Sequence, residues 1–366
     1  MKREKKKFRK IAAAVAVCLF AAVMTSGNGQ TVEALSLQKL EPLSLQEKGE
    51  KQQAEKATRG KVIAMGNAVG IKLFSDGVLV VGLSDVDTGQ GKCSPGKECG
   101  LKTGDLITHI NGTEVDTIEE VQEVMSKGND GPMTIQAVRS QQSLQLTATP
   151  VENRQGVYQL GVWLRDSMAG IGTITYYDPN TGVFAALGHG INDVDTAMLM
   201  PMESGSIMPA SVDEVKKGIS GEPGELHGCF ELLRDIGVLY ANTPMGVFGR
   251  TKDLKLPEGA QWMEVASPEE VKTGRAVIRS NVEGETVQEF EIQITRVNDR
   301  EDGTKSMMIQ VTDPRLLELT GGIVQGMSGS PILQNGRIVG AVTHVLVNDP
   351  TRGYGIFIEN MLDAAE

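Results

Sequence analysis

Residues 321–345 read GGIVQGMSGSPILQNGRIVGAVTHV, in which a Gly-x-Ser-Gly-x-Pro loop stands directly before an apolar hairpin. Glycines on both sides of Ser328 free the backbone to bend sharply and leave the serine hydroxyl uncrowded. In such a loop the backbone N–H groups of Gly326 and Ser328 can point together and stabilise a developing negative charge. Ser328 is therefore a candidate nucleophile, with Gly326 and Ser328 as oxyanion-hole donors. A glycine-rich structural turn is the alternative, and Ser330, beside Pro331, is expected to be structural.

A serine hydroxyl is a weak nucleophile until a base takes its proton, and histidine is the expected base. The chain has four histidines. His189, in LGHGI, stands at a predicted strand end between two glycines, where a substrate has room, and it is the preferred base. His344, in AVTHV after the serine hairpin, is the competitor. Packing or surface roles are expected for His109, in a predicted strand, and for His227, in a Gly/Glu-rich loop.

The composition of the 366-residue chain suits a β-rich globular protein with many turns, since it has 43 glycines and only 4% aromatic residues. A net charge of −11 argues against nucleic acid as a partner. Export of the chain would permit a disulfide between Cys93 and Cys99, in GKCSPGKECG, but the sequence does not decide whether it forms. No histidine or second cysteine pair stands near them, so no metal site is expected there.

The N-terminal segment combines a basic head with an apolar run. MKREKKKFRK holds seven Lys or Arg and one Glu, and the apolar run IAAAVAVCLFAAVM follows at 11–24. This pattern predicts that residues 1–25 are a signal or anchor segment, with export of the rest and association with the inner membrane. The sequence leaves open whether the segment is removed. Residues 26–60 are polar and rich in Gln, Glu and Lys, which predicts a linker.

A second motif, CGLKTGDLITHINGTEV at 99–115, precedes an amphipathic stretch. It predicts a strand at 106–110 and a tight Asn-Gly turn, followed by a helix at 117–128. The motif resembles the signature of bacterial PDZ domains attached to proteases. The resemblance implies that residues 61–152 form a PDZ domain, a small β-barrel with one helix.

PDZ domains bind an extended peptide as an added strand, and a glycine-containing loop captures the carboxylate. By position, Gly70, Ile71, Lys72 and Leu73 are predicted to form that loop. A plain β-turn is the alternative explanation for the glycine.

Residues 153–366 are rich in short strands and turns, which predicts a closed or sandwich β architecture. The serine loop resembles that of chymotrypsin-like serine proteases. The longer stretch from TGGIVQGMSGSPI to GYGIFIENML, at 320–362, resembles the stage IV sporulation protein B family of PDZ-containing serine peptidases from endospore-forming bacteria. The resemblance implies a mainly β chain whose residues 153–366 form a chymotrypsin-like β-barrel peptidase domain.

Carried over by position, this resemblance makes Ser328 the nucleophile and His189 the base. It makes Asp313, fifteen residues before the serine, the acid that orients the imidazole. The spacing from acid to serine is shorter than in chymotrypsin-like enzymes. Asp195 and Asp193, just past the histidine, therefore stay alternatives, and a turn cap is the preferred interpretation of Asp193.

The resemblance also implies a biological role. The family members are exported serine endopeptidases that act between the two forespore membranes and need no metal or cofactor. They cleave themselves near the N-terminus, for which 26–60 is the candidate region here. They also cleave a membrane protein that silences an intramembrane protease, which activates a late sigma factor. The rival hypotheses are a PDZ peptide-binding scaffold with an inactive protease-like domain, and a structural protein of the cell envelope.

Overall fold

The computed structural model describes residues 60–127, 131–231, 233–251, 253–298 and 303–366. The predicted signal or anchor segment lies outside these ranges, as does the predicted linker except for Gly60. None of the helices in the described ranges has the length and hydropathy needed to span a membrane.

The described chain opens with two strands separated by the short segment 65–67. These are β1 (Lys61–Ala64) and the 16-residue β2 (Ala68–Leu83). The first half of β2 pairs with strands that come much later in the chain, whereas Val78 and Leu79 pair with the next module. One long strand therefore runs out of one module and into another.

The next module is small and contains the helix that the sequence predicts at 117–128. Its elements are β3 (Val86–Asp87), β4 (Lys92–Cys93), α1 (Pro95–Glu98), β5 (Leu106–Ile110), β6 (Thr113–Glu114), α2 (Ile118–Lys127), β7 (Met133–Arg139), β8 (Gln142–Ala148), β9 (Val151–Glu152) and β10 (Tyr158–Gln159). The buried face of α2, with Val121 and Met125, packs on the strands of this module. Asn111 (φ 51°) and Gly112 (φ 77°) make the predicted tight turn.

A first barrel follows, and it closes through β2. Its elements are β11 (Val162–Asp178), β12 (Val183–Ala186), β13 (Ser204–Lys216), β14 (Glu225–Phe230), β15 (Gly237–Thr243), β16 (Gly246–Arg250) and β17 (Trp262–Glu264). Strands β11, β12, β16, β15, β13 and β2 pair in that order, and β2 pairs again with β11, so the ring is closed. Apolar side chains such as Ile71, Phe184 and Ile207 fill its interior.

The second barrel is closed by strands from the last hundred residues. They are β18 (Gly274–Asn281), β19 (Val287–Val297), β20 (Met307–Val311), β21 (Pro331–Gln334), β22 (Arg337–Leu346) and β23 (Asp349–Phe357). A 3-10 turn (Pro268–Glu270) precedes them, and α3 (Pro314–Thr320) and α4 (Ile358–Ala365) are the helices of this part. Asn335 (φ 52°) and Gly336 (φ 76°) form the hairpin turn expected between β21 and β22.

The predicted mainly β fold class is confirmed: the described chain consists mostly of strands, with two closed β-barrels and a small module of short strands and a helix. The predicted start of the PDZ domain at residue 61 differs from the pairing in the structure. Strand β1 pairs with β11 and β17, and residues 68–74 pair with β11 and β13, so both belong to the first barrel. Local turn signals divide 61–83 into short strands and cannot reveal that β2 crosses between modules.

The same pairing corrects the predicted carboxylate loop at Gly70, Ile71, Lys72 and Leu73. These residues form strand, not loop, and both edges are occupied, since Ile71 pairs with Gly170 on one side and with Ile207 on the other. No edge is left there for an added peptide strand. Cys93 and Cys99 are free thiols, and the Cys99 Sγ lies 3.1 Å from the Gly96 carbonyl oxygen.

Candidate active site

The serine loop precedes a strand of the second barrel but is held in place by a strand of the first. Thr173, in β11, donates its backbone N–H to the Ser328 carbonyl (3.1 Å) and its hydroxyl to the Gly326 carbonyl (2.8 Å). The hydroxyl of Thr175 donates to the Gly329 carbonyl (2.8 Å). Ser328 therefore lies at the junction of the two barrels.

Gly329 shows why this loop requires glycine immediately after the serine. Its φ is 96°, and a Cβ at this position would lie 2.1 Å from the Thr173 carbonyl oxygen and 2.5 Å from the Leu187 nitrogen. No other residue fits without moving backbone. The close approach brings the serine loop against the segment that carries His189.

The N–H groups proposed for the oxyanion hole are available for a ligand. Met327 and Ser330 donate within the loop and Gly329 donates to the Val342 carbonyl, whereas the N–H groups of Gly326 and Ser328 have no acceptor among the described residues. A buried or half-buried N–H without a partner is unusual and readily donates to a carbonyl oxygen. The oxyanion-hole assignment stays a prediction, and this geometry is consistent with it.

The Ser328 hydroxyl is half-buried and donates to the Thr343 carbonyl (2.9 Å). Within the described ranges it makes no hydrogen bond to a histidine, so it must leave Thr343 before a base can take its proton. The Ser330 hydroxyl is fully buried and lies 3.0 Å from the Ser280 hydroxyl, which agrees with the structural role expected for it.

His189 follows β12 on an unusual turn, in which Leu187 has a φ of 71° and Gly188 a φ of 69°. Its Nδ1 lies 2.8 Å from the Gly190 carbonyl oxygen. Because a carbonyl only accepts, this contact assigns the proton to Nδ1 and leaves Nε2 as the free lone pair. Burial lowers the pKa of His189, and the Gly190 hydrogen bond opposes that effect. A neutral imidazole with a free Nε2 is the state that a general base needs.

The competitor base lies beside the preferred one. The His189 and His344 ring centroids are 5.1 Å apart, with the planes tilted by 40°. His344 directly follows Thr343, whose carbonyl holds the Ser328 hydroxyl. His344 keeps exposed surface, but desolvation of its ring, and then the charges of His189 and Lys305, lower the pKa of His344 to about 4. The structure therefore brings Ser328 and both candidate histidines into one site and makes both imidazoles neutral at neutral pH.

Asp313 does not contact His189 in the described structure, which corrects its predicted role as the orienting acid. It is the N-cap of α3: its Oδ1 accepts from the Arg315 N–H (2.9 Å) and its Oδ2 accepts from the Glu291 N–H (3.2 Å). The Arg315 guanidinium donates to both carboxylate oxygens. This hydrogen bonding to Arg315 lowers the pKa of Asp313 to about 2. The carboxylate has no free lone pair directed at an imidazole.

The alternative acids near His189 are also engaged elsewhere. The Asp193 carboxylate is fully buried and accepts from the Asp195 and Thr196 N–H groups, as expected for a turn cap. Arg165, in β11, donates to Asp193 and to Asp195 (2.8 Å). Sequence reasoning missed Arg165, because the pair joins residues that are far apart in the chain.

The other two histidines have the packing or surface roles expected for them, although His227 lies in a strand and not in the predicted loop. His109 Nδ1 lies 3.1 Å from the Thr108 hydroxyl in β5. His227 is exposed in β14, with its Nε2 3.4 Å from Glu225 Oε2. Across the described part of the chain, no group of three or more His, Cys, Asp or Glu side chains has a metal-binding arrangement.

Comparison with protein families gives the site its context. A model described as SpoIVB peptidase S55 matches residues 156–362, which is more than half of the chain and includes both Ser328 and His189. The chain belongs to the SpoIVB peptidase S55 family. A PDZ domain model matches residues 86–139, so this S55 peptidase also carries a PDZ domain. Serine peptidase activity follows from the family.

Solved structures include several partial likenesses to this S55 peptidase. A PDZ domain of an SdrC-like protein from Listeria monocytogenes is 23% identical, with 24% of this chain and 87% of that chain covered and a TM-score of 0.20. The active form of the Rv3671c protease from M. tuberculosis is 13% identical, with 54% and 73% covered and a TM-score of 0.31. An HtrA-type protease with a tripeptide is 14% identical, with 53% and 54% covered and a TM-score of 0.32. No match was found among curated proteins.

Beside the long helix of the PDZ domain, the start of β11 has an open edge among the described residues of this S55 peptidase. Residues 162–165 of β11 pair with β2 on one side, and no described strand pairs with the other side. Helix α2 lies next to this edge, where the Ile118 N–H donates to Asp166 Oδ2 (2.9 Å). The edge follows a tight turn at Gly161 (φ 69°). The stretch QLGVW at 159–163, an apolar-Gly-apolar step before a strand, is the sequence signal that could have identified it.

Proposed function

We propose that this protein is an exported serine endopeptidase of sporulation signalling, with Ser328 as nucleophile and His189 as general base. The observation that carries the proposal is the contact of the serine loop with the His189 segment, made through Gly329 against Leu187. This contact supports cooperation of Ser328 and His189 in acyl transfer, and the Gly190 hydrogen bond supports the tautomer that a general base needs.

The proposed reaction begins when the Ser328 hydroxyl leaves the Thr343 carbonyl and turns to His189 Nε2. The imidazole takes the proton as the serine oxygen attacks the peptide carbonyl, and it then gives that proton to the leaving amine. The N–H groups of Gly326 and Ser328 hold the oxyanion. Water hydrolyses the acyl-enzyme by the same steps in reverse.

A backbone carbonyl takes the orienting role in this mechanism. The Gly190 oxygen accepts from His189 Nδ1 and keeps Nε2 free, which is the positional task that a carboxylate performs in a triad. A neutral carbonyl stabilises the imidazolium less than a carboxylate does, so we expect a slow enzyme. Slow turnover suits a peptidase that cleaves few bonds.

The biological part of the proposal rests on the family resemblance. The substrates are the chain itself, within 26–60, and a membrane regulatory protein whose cleavage releases an intramembrane protease to activate a late sigma factor. The reaction takes place in the space between the forespore membranes, and the N-terminal segment 1–25 brings the enzyme to the inner membrane. Membership of a sporulation peptidase family supports this assignment.

We infer that the PDZ domain contributes by binding an extended peptide. The open edge at residues 162–165 offers main-chain hydrogen bonds for an added strand, and α2 flanks it, as this mode of recognition requires. The site replaces the one predicted at residues 70–73. A peptide bound there is held by the same strand that contacts the serine loop through Thr173.

The test uses the full chain with an N-terminal tag, as wild type, Ser328→Ala and Ser330→Ala. We expect shortening over time and labelling by a fluorophosphonate probe in wild type and in Ser330→Ala, and neither in Ser328→Ala. Labelling without shortening supports peptidase activity and contradicts the proposal that the chain cleaves itself. Equal shortening in all three forms means that a host enzyme cuts the linker. Absence of labelling in wild type favours the peptide-binding scaffold.

A further inference from the structure

A cavity of about 370 Å³ lies directly beside the serine loop. Gln325 and Gly326 form one wall, strand β14 forms another, and Gly170 and Ile171 of β11 close a third side. Gly326 stands two residues before Ser328 and supplies one of the proposed oxyanion donors. A peptide whose carbonyl binds at that donor must pass this cavity, and a side chain close to the scissile bond can enter it.

Backbone hydrogen bonds fix the shape of the cavity. β14 and the serine loop form a parallel bridge at Glu225 and Gln325, in which the Leu226 N–H donates to the Gln325 carbonyl (2.9 Å) and the Gln325 N–H donates to the Gly224 carbonyl (2.9 Å). A Cβ at Gly326 would lie 3.0 Å from Leu226. The wall nearest the reacting atoms is therefore preformed and does not depend on flexible side chains.

The lining combines apolar walls with one carboxylate. Ile171 and Phe230 provide apolar surface, Leu226 is buried behind the wall, and Glu225 is the one acidic side chain among the described residues that line the cavity. The Glu225 side chain is half-exposed and lies 3.4 Å from the His227 ring. A long basic side chain matches this lining, because its aliphatic stem can lie along apolar surface while its charge reaches a carboxylate at the rim.

Neighbouring charges on β13 do not cancel this preference. Lys216 lies opposite Glu225 and Glu214 lies opposite His227 in the antiparallel pairing of β13 with β14. Neither lines the cavity, and their opposite charges offset each other. Glu225 is therefore the carboxylate that the cavity presents, with His227 beside it.

We propose that this cavity is a substrate subsite that selects a Lys or Arg side chain next to the scissile bond. The inference rests on the proposed function, because selection can be seen only if Ser328 cleaves peptides. Half-exposed ion pairs are weak, so we expect a preference of about two- to five-fold for Lys or Arg over Asp or Glu at one position.

The experiment incubates the enzyme with a mixture of synthetic unstructured peptides and identifies the cut bonds by mass spectrometry. We consider the bonds that wild type cuts and Ser328→Ala does not. At one fixed position beside these bonds, Lys or Arg should occur more often than in the peptide mixture as a whole. Glu225→Lys should shift that position towards Asp or Glu. Gly170→Leu should fill the cavity and remove the preference for long side chains, since a Cβ at Gly170 meets no atom within 4 Å.

The matched control is Glu222→Lys, an exposed charge reversal in the same segment that does not line the cavity. It should keep the wild-type preference. Ser328-dependent cutting without basic enrichment, or with enrichment that Glu225→Lys leaves unchanged, overturns the subsite and leaves the proposed function standing. If no cut depends on Ser328, the proposed function is wrong and the subsite falls with it.

Discussion

The imidazole rings of His189 and His344 face each other with centroids 5.1 Å apart, although one ring belongs to the first barrel and the other to the second. The carbonyl of Thr343, next to His344, holds the Ser328 hydroxyl, whereas the Gly190 carbonyl holds His189 Nδ1. The two histidines that sequence reasoning treated as competitors are thus neighbours. Only His189 has an observed hydrogen bond that fixes its tautomer.

Replacing each histidine separately should distinguish their roles. His189→Ala should reduce the rate of Ser328 labelling and of peptide cleavage by about 10²- to 10⁴-fold, the usual contribution of a general base. His344→Gln should reduce them by less than tenfold, because it removes a neighbouring ring and leaves the Gly190 contact intact. His109→Gln, in the PDZ domain, is the control. A larger loss in His344→Gln than in His189→Ala would reverse the assignment.

The pH dependence of the reaction should reflect the lowered pKa of His189. Its ordinary value is 6.5, and burial lowers it, so the acidic limb of the labelling rate should fall below pH 6.5. Labelling rates measured from pH 4 to 9 test this. A limb centred at or above 6.5 would contradict the burial of a neutral base.

The same two rings should make stability depend on pH. In the folded state His344 has a pKa of about 4, against an ordinary value of 6.5, and the pKa of His189 is lowered too. The unfolded chain therefore binds more protons below pH 6.5, and the free energy of unfolding should fall as the pH drops from 6.5 towards 4. Denaturant titrations of wild type and His344→Gln at both pH values measure this contribution, and the variant should lose less stability.

Asp313 should act on stability and not on the chemical step. Asp313→Asn keeps a side chain that caps a helix and should retain Ser328 labelling within a few-fold, whereas an orienting acid would lose about 10⁴-fold. Asp313→Ala should also lower the free energy of unfolding through loss of the α3 cap. The labelling rate of folded Asp313→Asn decides between the two roles.

The pKa of Asp313 adds a second measurement. Its folded value of about 2 lies below the ordinary 3.8, so its contribution is present above pH 3.8 and is lost as the pH falls towards 2. That contribution is on the order of 2 kcal/mol for this buried carboxyl. Asp313→Asn lacks this ionisable group. Its free energy of unfolding should therefore fall less between pH 3.8 and pH 2 than that of wild type, which acid-unfolding titrations measure.

Arg165 should be necessary to hold the segment that carries His189 in position. Its guanidinium pairs with the fully buried Asp193 carboxylate and with Asp195, a few residues after His189. Arg165→Ala leaves a buried charge unpaired, which typically costs about 3–5 kcal/mol, and it should lower both the melting temperature and the labelling rate. Arg234→Ala, which removes an exposed pair with Glu231, is the matched control and should change neither. Unchanged labelling in folded Arg165→Ala would show that the segment holds its position without this ion pair.

The PDZ domain is packed against the same segment. Leu79 and Leu73 of β2 form a buried apolar cluster with Met200, which lies beyond His189, and Ile191 packs on its edge. Leu106, in the PDZ strand β5, also packs on this cluster and connects the PDZ domain to the segment that follows His189. Deleting the domain would therefore expose apolar surface beside the active site as well as remove a peptide-binding edge.

The sequence by itself determined the features that depend on a few neighbouring residues. The Asn-Gly turns at 111–112 and 335–336, the strand at 106–110, the helix that follows it and the glycine-flanked Ser328 all come from local conformational preferences. The motifs also indicated the PDZ domain and the peptidase family. Each of these signals is contained in a short window of sequence, so the rest of the fold is not needed to interpret it.

Only the tertiary structure decided which distant groups meet. It placed residues 70–73 inside a doubly paired strand, made Asp313 a helix cap, paired Arg165 with Asp193 and brought His344 to His189. The physical reason is that strands satisfy their backbone hydrogen bonds with partners from anywhere in the chain, and alternation of side chains does not identify the partner. Closure of two barrels through β2 and β11 therefore fixed the site, and no local pattern in the sequence encodes that closure.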